Sequence, residues 1–248
     1  MPKFFVTNKQ IENNKIFIIG QDVNHIKKVL RTKIGDELEI CNVENQENFL
    51  CQIEEIENEK IICKIKEKVE KTSESNIQIT VYQGLPKSDK MEYIIQKSVE
   101  LGVYDITPVE MQRCVVKLND KDKIKKQERW QKISEVASKQ SGRDIIPKIN
   151  NIKNIKNIVN EVTNYDLFLI AYEKEKDNTL KNELSKIKNN KENMKIAILI
   201  GPEGGLEETD TKLLQQKGAK IITLGKRILR TETVALSVIS IIMYELEQ

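Results

Sequence analysis

Histidine and paired cysteines are scarce in this sequence. His25 is the single histidine in 248 residues, and the four cysteines include no Cys-x-x-Cys spacing. We therefore expect no metal site, and no nucleophile-elbow motif supports Ser-His-Asp hydrolysis with His25. Isolated cysteines usually behave as small buried hydrophobic residues. We interpret all four in this way: Cys41, Cys51, Cys63 and Cys114.

Long hydrophobic runs and a strong net charge are also missing. The longest apolar stretch, residues 234–244, contains Ser237 and Ser240 and is shorter than the roughly 20 apolar residues that span a membrane. The N-terminal residues do not resemble a signal peptide, so we expect a cytoplasmic protein without membrane association. Because 41 basic and 38 acidic residues leave only +3, any contact with nucleic acid must come from local patches.

The first 72 residues alternate β-prone runs with turn signals, which predicts a small β-barrel. The predicted strands are residues 3–7, 15–19, 37–43, 49–56 and 60–69. A helix is predicted between them at residues 22–30. Its predicted apolar face is Val23, Ile26, Val29 and Leu30. Its basic residues, Lys27 and Lys28, followed by Arg31, could hold RNA phosphates or form an ordinary solvated face.

The polar stretch 70–76 predicts a linker, and we place the domain boundary between residues 72 and 73. From there to residue 248 the pattern becomes a β/α alternation, which predicts a parallel sheet flanked by helices. The predicted strands are residues 77–83, 106–109, 113–117, 167–172, 196–200 and 221–224. The predicted helices are residues 88–102, 121–140, 180–187, a segment around 213–214, and 233–247. In the long helix 121–140 the residues predicted to face inward are Trp130, Ile133, Val136 and Ala137.

Two glycine-containing loops follow predicted strands, at residues 201–205 and 224–230. Loops of this kind meet at one edge of a parallel sheet, where open α/β sheets bind ligands. The first loop, Gly-Pro-Glu-Gly-Gly, could let backbone groups approach a ligand closely, or it could be only a tight turn. It has neither the Gly-Lys-Ser/Thr ending of phosphate loops nor the Gly-x-Gly-x-x-Gly spacing of dinucleotide sites.

The segment after the second loop is harder to explain by packing alone. Arg230, Thr231 and Glu232 stand directly before the most apolar helix of the protein. Thr231 as the N-cap would explain one of them. A cation at a helix start opposes the helix dipole, so Arg230 needs an anionic partner, either Glu232 or a substrate. Because the helix is apolar on nearly every side, it must be covered all round, by its own domain and by a second subunit.

The motifs at residues 200–205 and 224–233 together closely resemble those of the 16S ribosomal RNA uridine-N3 methyltransferases, a family of the SPOUT, or α/β-knot, superfamily. Residues 91–103, residues 140–143 and the N-terminal Lys-Phe-Phe-Val look like the family's pattern as well, so the resemblance covers the whole chain. It implies a trefoil-knotted α/β domain after a PUA-like barrel, a homodimer, bound S-adenosylmethionine, and methyl transfer to N3 of a uridine in 16S rRNA of the small ribosomal subunit.

The resemblance also implies a set of site residues. The cofactor pocket would be formed by Leu169, Ile170, Ala171, Tyr172, Ile200, Gly201, Pro202, Glu203, Gly204, Gly205, Leu224, Gly225, Ile228, Leu229, Arg230, Thr231 and Ala235. From the chemistry of N3 methylation we add the hypothesis that Arg230 stabilises negative charge on the uracil oxygens and that Glu232 orients Arg230. RNA would be held by Lys27, Lys28, Arg31, Arg113, Lys117 and Arg143. No metal ion is needed, because the cofactor already carries an activated methyl group.

The chain departs from the family's pattern at Lys3, Lys139, Glu207 and Val234. Only the two lysines could touch RNA, so the departures bear on RNA affinity alone. Two other functions stay open at this point. One is a SPOUT enzyme that methylates a ribose 2′-hydroxyl on tRNA or rRNA, and the other is a non-catalytic RNA-binding factor in ribosome assembly.

Overall fold

The computed structural model describes residues 3–70, 73–187 and 193–247. They form two compact units, one made of Met1–Glu74 with Ser138–Ile146, the other of Ser75–Ala137 with Pro147–Gln248. The predicted linker includes residues 71 and 72, which lie outside the described residues. The division at residues 72 and 73 stays a prediction, and the structure adds the segment 138–146 to the first unit.

The first unit contains a curled six-stranded sheet with the strand order β1-β4-β5-β6-β3-β2. Its strands are β1 (Lys3–Val6), β2 (Ile11–Glu12), β3 (Lys15–Ile19), β4 (Glu37–Asn42), β5 (Glu47–Ile56) and β6 (Lys60–Val69). All pairs are antiparallel except β1 with β4. The five predicted strands are confirmed, and the two-residue β2 was missed because so short a run carries no periodicity.

One helix interrupts this sheet. It begins as α1 (Gln21–Asn24) and continues as a π-helix over His25–Leu30. Val23 and Ile26 are buried as predicted. Val29 is 66% exposed, so its predicted inward position is wrong. The wider π-turn changes the angle between successive side chains and moves Val29 away from the buried face.

The second unit is a parallel sheet with the order β10-β8-β7-β12-β11-β13, and β9 pairs with β8. The strands are β7 (Ile77–Gly84), β8 (Asp105–Glu110), β9 (Lys148–Ile149), β10 (Lys153–Asn154), β11 (Leu167–Ala171), β12 (Met194–Ile200) and β13 (Lys220–Ile222). The predicted strand at residues 113–117 is wrong, because that segment is a turn in which the Cys114 N–H donates to the Met111 carbonyl oxygen.

The helices that follow are α2 (Lys90–Glu100), α3 (Asp120–Ser141), α4 (Ile155–Val159), α5 (Leu180–Leu184), α6 (Glu208–Gln215) and α7 (Thr231–Leu246). On α2 the 3- and 4-residue spacing of the sequence predicts one buried face, and its members are all buried: Met91, Ile94, Ile95, Ser98 and Val99. Gly102 closes that helix with a φ of +96°. On α3 the prediction holds for Trp130 and Ala137, but Val136 is 58% exposed. Ser134 and Ser138 are buried on α3 instead, because small hydroxyl residues fit a close contact when their oxygens find partners.

Within the described residues no helix is both long enough and apolar enough to cross a membrane. Each unit has its own hydrophobic core. The core of the second unit includes the inner residues of β12, which are apolar throughout because both faces of a parallel sheet are covered by helices.

Candidate functional site

A cavity of about 480 Å³ opens at the carboxyl ends of three strands of the parallel sheet. Ala171, Ile200 and Ile222, the last residues of β11, β12 and β13, line it. Ala171 is in register with both of the others, so the three strands end level with one another. This is the edge where the sequence predicted a ligand site, and the two glycine-containing loops form the rest of the wall.

Most of the predicted cofactor residues line this cavity. They are Ala171, Tyr172, Ile200, Gly201, Pro202, Glu203, Gly204, Gly205, Leu224, Gly225, Ile228, Leu229, Arg230 and Thr231. Leu169, Ile170 and Ala235 do not line it and are fully buried. Leu169 and Ile170 are inside a strand with neighbours on both sides, and Ala235 is on the buried face of α7. These three support the wall from the core.

Several wall residues were missed by the sequence reasoning. They are Lys90, Glu173, Leu206, Ile222, Thr223, Lys226, Arg227 and Val234. Lys90 comes from α2, far away in sequence, and no local motif indicates that this helix reaches the cavity. Lys226 and Arg227 lie within the predicted second loop, and their adjacent positive charges were a signal that could have included them.

Gly84, at the end of β7, lets the first glycine loop approach closely. A Cβ atom at residue 84 would lie 2.6 Å from Pro202 Cδ and 2.7 Å from Pro202 N. Such contacts are too short for a real side chain, so a larger residue would push the loop 201–205 outward. The position of the cavity wall therefore depends on glycine at the neighbouring strand end.

A buried hydrogen-bond relay fixes the start of α7 to the same loop. Gln83 Nε2 donates to Thr231 Oγ1 over 2.8 Å, and Thr231 Oγ1 donates to the Gly201 carbonyl oxygen over 2.7 Å. Thr231 is not the N-cap as predicted, because Arg230 holds that position in extended conformation and Thr231 is the first helical residue. The Thr231 hydroxyl thus joins three elements of the wall instead of capping its own helix.

Lys90 connects the first glycine loop to the start of α7 through two carboxylates. Its ammonium donates to Glu203 Oε1 over 2.9 Å and lies 3.4 Å from Glu232 Oε2, an ion pair without hydrogen-bond geometry. Glu203 also accepts from the Lys87 backbone N–H. Burial raises the pKa of Glu203, but the bonds from Lys90 and from backbone N–H groups outweigh it and leave this pKa lowered. Glu203 is thus an ionised, bonded wall residue.

The expected orientation of Arg230 by Glu232 is not what the structure shows. Among the described residues the ion-pair partner of Glu232 is Lys90, and no carboxylate lies within 4.0 Å of Arg230. The Arg230 side chain is exposed on the cavity wall. Its guanidinium is therefore available for an anionic or carbonyl-bearing ligand. Of the two partners expected for Arg230, Glu232 and a substrate, only the substrate fits this geometry.

Arg113 holds the first glycine loop. Its guanidinium donates from Nε and Nη2 to the two carboxylate oxygens of Glu207, at 2.7 and 3.2 Å, and from Nη1 to the Gly204 carbonyl oxygen at 3.1 Å. The backbones are so close that a Cβ atom on Gly204 would lie 3.0 Å from Arg113 Cβ. The bonds from Arg113 also lower the pKa of the Glu207 carboxyl. Since its donors are engaged here, the Arg113 side chain has a structural task that the RNA-binding prediction did not foresee.

Arg143 and Lys117 were also predicted to bind RNA. Arg143 is 5% exposed, and its Nε lies 3.1 Å from both carboxylate oxygens of Glu74. This guanidinium is inside the first unit and cannot reach a phosphate, so we remove Arg143 from the RNA-binding set. Lys117 is exposed, with its ammonium 3.9 Å from Glu110.

The two lysines that depart from the family's pattern have internal partners as well. Lys3 is buried and bonded to Asp144, while Lys139 donates to Asp22 at 2.9 and 3.0 Å. Both pairs lie within the first unit. Both side chains therefore have internal partners that the sequence did not predict.

The basic residues of the first helix differ in their exposure and contacts. Lys27 donates to the Glu57 carbonyl oxygen over 3.0 Å, whereas Lys28 and Arg31 are exposed. Arg31 ends the π-helix in the left-handed conformation, with a φ of +54°. The structure places the three side chains on one short segment, and their RNA contact stays a prediction.

Comparison with known protein families gives two matches that together cover most of the chain. Residues 73–243 match the model of an RNA methyltransferase domain, and residues 18–66 match that of an RNA methyltransferase PUA domain. The first match includes every residue that lines the cavity.

Curated relatives and solved structures agree with these matches. Ribosomal RNA small subunit methyltransferase E of Bacillus subtilis is 35% identical, over 100% of this chain and 98% of its own length. The protein of the same description in Mesomycoplasma hyopneumoniae is 34% identical over 95% and 96%. The structure of ribosomal RNA small subunit methyltransferase E from Neisseria gonorrhoeae bound to S-adenosyl methionine is 27% identical, covers 98% of this chain and 97% of its own, and has a TM-score of 0.85.

Proposed function

The chain belongs to the RNA methyltransferase family that carries a PUA domain, and from this membership we propose that it transfers a methyl group from S-adenosylmethionine to N3 of a uridine in 16S rRNA of the small ribosomal subunit. The observation that carries the proposal is the cavity at the strand ends, whose wall combines both glycine loops with Arg230. Full-length relatives described as ribosomal RNA small subunit methyltransferase E support the substrate class. This substrate implies a cytoplasmic protein.

The residues present fit S-adenosylmethionine. Within the described part of the chain, the backbone N–H groups of Leu224, Ile228 and Leu229 have no hydrogen-bond partner, so the second loop offers free donors to a ligand. The carboxylates of Glu203 and Glu173 also line the wall and suit a cationic ligand. Residues 201–205 and the backbone of Leu224, Gly225, Ile228 and Leu229 would hold the cofactor, which supplies an activated methyl group when it is bound.

Arg230 is the residue that we assign to the reacting base. A uracil that gives up its N3 proton to water as N3 takes the methyl group develops negative charge on its carbonyl oxygens, and an exposed guanidinium on the cavity wall can stabilise that charge. Glu232 is held by Lys90, so we assign it to positioning the start of α7. The uracil must leave its stack to reach such a cavity, because its N3 is otherwise engaged in base pairing or covered by neighbours.

RNA docking is proposed for Lys27, Lys28 and Arg31 of the first unit, with Lys117 in the second. Neutralised phosphates release counterions, so RNA affinity is expected to fall steeply as salt rises. A variant with charge reversal at Lys28 and Arg31 should lose much of the affinity and of the salt dependence. Unchanged RNA affinity in that variant would show that the barrel is not the docking unit.

A homodimer is also proposed, and the trefoil knot stays a prediction from the family resemblance. On α7 one face is buried, with Val238, Ile239 and Ile242 inaccessible, while Ile241 is 40% and Tyr244 is 87% exposed. We assign the exposed apolar residues to contact with a second copy of the chain. Light scattering should give twice the chain mass, and Tyr244→Asp should shift it towards the monomer.

The test of the activity uses purified protein, labelled S-adenosylmethionine and small-subunit RNA. We expect labelled 3-methyluridine after digestion of the RNA, and little of it with Arg230→Ala, which should still bind the cofactor. A ribose-methylated nucleoside would support the rival 2′-hydroxyl activity. No cofactor binding by calorimetry would support the non-catalytic assembly factor.

A further inference from the structure

The second glycine loop exposes an unusual group of side chains. Residues 225–230, called the rim loop from here on, line the cavity, and Lys226, Arg227, Ile228 and Arg230 are exposed there. Ile228 is 87% exposed. A loop that only bound a cofactor would be expected to turn its apolar residue towards the core. Three cations and an isoleucine at the edge of the cavity therefore indicate a second task.

The cations of the rim loop differ from the others near the site. Arg113 is bonded to Glu207 and to the Gly204 carbonyl oxygen, and Lys90 is shared by two carboxylates. In contrast, no carboxylate of the described residues lies within 4.0 Å of Lys226, Arg227 or Arg230. Unpaired, exposed cations keep their charge for a partner and need not break an internal ion pair to bind it.

The chemistry of the rim loop fits a strand of RNA. Its positive charges suit phosphates, whose contacts supply most of the affinity for nucleic acid. Its exposed isoleucine suits the faces of bases, since proteins that unstack bases commonly insert an apolar side chain. A uridine that enters the cavity leaves unstacked neighbours behind, and these would lie beside the rim loop.

We propose that the rim loop is an RNA-contacting surface, in which Lys226 and Arg227 bind phosphates next to the target nucleotide and Ile228 packs against the bases that its departure exposes. The inference rests on the proposed RNA methylation and adds to it a contact surface outside the barrel. Arg230 keeps its role towards the reacting base.

The salt dependence of RNA binding tests the two cations. In single-stranded RNA each phosphate contact contributes about 0.7 to the slope of log affinity against log salt. The double variant Lys226→Ala/Arg227→Ala should therefore lower that slope by about 1.4 and leave cofactor affinity unchanged. The matched control is Lys181→Ala/Lys217→Ala, which removes the same charge at two exposed positions of the second unit that do not line the cavity. It should leave the slope unchanged, whereas an equal slope in the two double variants would overturn the inference.

Ile228→Ala tests the apolar contact. We expect about a tenfold lower rate of methylation at saturating RNA, together with weaker fluorescence enhancement from 2-aminopurine placed next to the target uridine. Normal enhancement with a raised dissociation constant for S-adenosylmethionine would overturn this part, because Ile228 would then serve the cofactor. Failure of this inference can be distinguished from failure of the proposed function. If the double variant lowers the salt slope but the wild-type protein methylates no RNA, the RNA contact is supported and the methylation activity is contradicted.

Discussion

The Thr231 relay gives the sharpest test of how the cavity wall is held. Thr231→Val keeps the shape of the side chain and removes the hydroxyl that accepts from Gln83 and donates to the Gly201 carbonyl oxygen. Both bonds lie in a region where Gln83 is fully buried and Thr231 is 7% exposed. Water therefore cannot easily replace the lost partner, and two polar groups lose a bond inside the protein.

The magnitude follows from these two bonds. A hydrogen bond contributes about 1 kcal/mol net, and a buried group left without a partner costs about 1–3 kcal/mol. Gln83 Nε2 keeps its bond to the Gly84 carbonyl oxygen over 3.0 Å, so the larger loss falls on the Gly201 carbonyl. We expect Thr231→Val to lower the free energy of unfolding by about 2–3 kcal/mol. Because Gly201 lines the cavity, cofactor affinity should fall about tenfold, which corresponds to about 1.4 kcal/mol.

Urea denaturation and calorimetric titration with S-adenosylmethionine measure the two quantities. Thr231→Ser is the matched control, since it keeps the hydroxyl and should cost only about 1 kcal/mol for the lost methyl group. Gln83→Leu combined with Thr231→Val should cost less than the sum of the single variants, because they remove a shared bond. If Thr231→Val has the same free energy of unfolding and the same cofactor affinity as the wild type, the relay does not hold the cavity wall in place.

Three further predictions concern other contacts of the site and of the cores. Arg113→Met should weaken cofactor binding in the absence of RNA, and Glu207→Gln should do so less; an effect on RNA affinity alone would contradict the loop-holding role. Because the pKa of Glu203 is lowered in the folded state, its stabilising contribution is complete above its ordinary value of 4.5 and is lost as pH falls through the folded pKa. Lys90→Met should therefore reduce the loss of stability measured by denaturation between about pH 5 and 3, and an identical pH profile would contradict the pairing. Burial raises the pKa of Cys51 and of Cys63 to about 12, so native protein at pH 8 should react with iodoacetamide at these thiols only after unfolding, as peptide mass spectrometry would show.

Much of the fold could be predicted from local patterns. The longer strands of both units and the apolar face of α2 follow from periodicities of 2 and 3.6 residues, which depend on neighbouring residues alone. The errors occurred where a run is too short to show a period, as in β2, β9, β10 and the segment 113–117, where the backbone departs from ideal geometry, or where a helix face is weakly apolar. The π-turn that exposes Val29 and the exposed Val136 of α3 are such cases. Neither leaves a distinct pattern in the sequence.

The candidate site was also predicted only in part. Features that depend on neighbouring residues were found, and contacts between residues far apart in the sequence were missed. The two glycine loops were found because each follows a strand, and strand order brings parallel strand ends together. Lys90 and the pairing of Arg113 with Glu207 were missed, since both join residues more than ninety positions apart. Arg113 was predicted to bind RNA, although its ion-pair partner in the structure is the Glu207 carboxylate. The sequence gives the charge of a side chain but not its partners. Whether a cation is paired is known only from the contacts of the folded chain.

The most direct measurement of the central claim is mass spectrometry of nucleosides from small-subunit RNA that was incubated with the protein and S-adenosylmethionine bearing a deuterated methyl group. The account predicts 3-methyluridine that carries the label, formed in far smaller amount by Arg230→Ala although that variant binds the cofactor. A label found on a ribose 2′-oxygen, or labelled 3-methyluridine formed equally by Arg230→Ala, would contradict it.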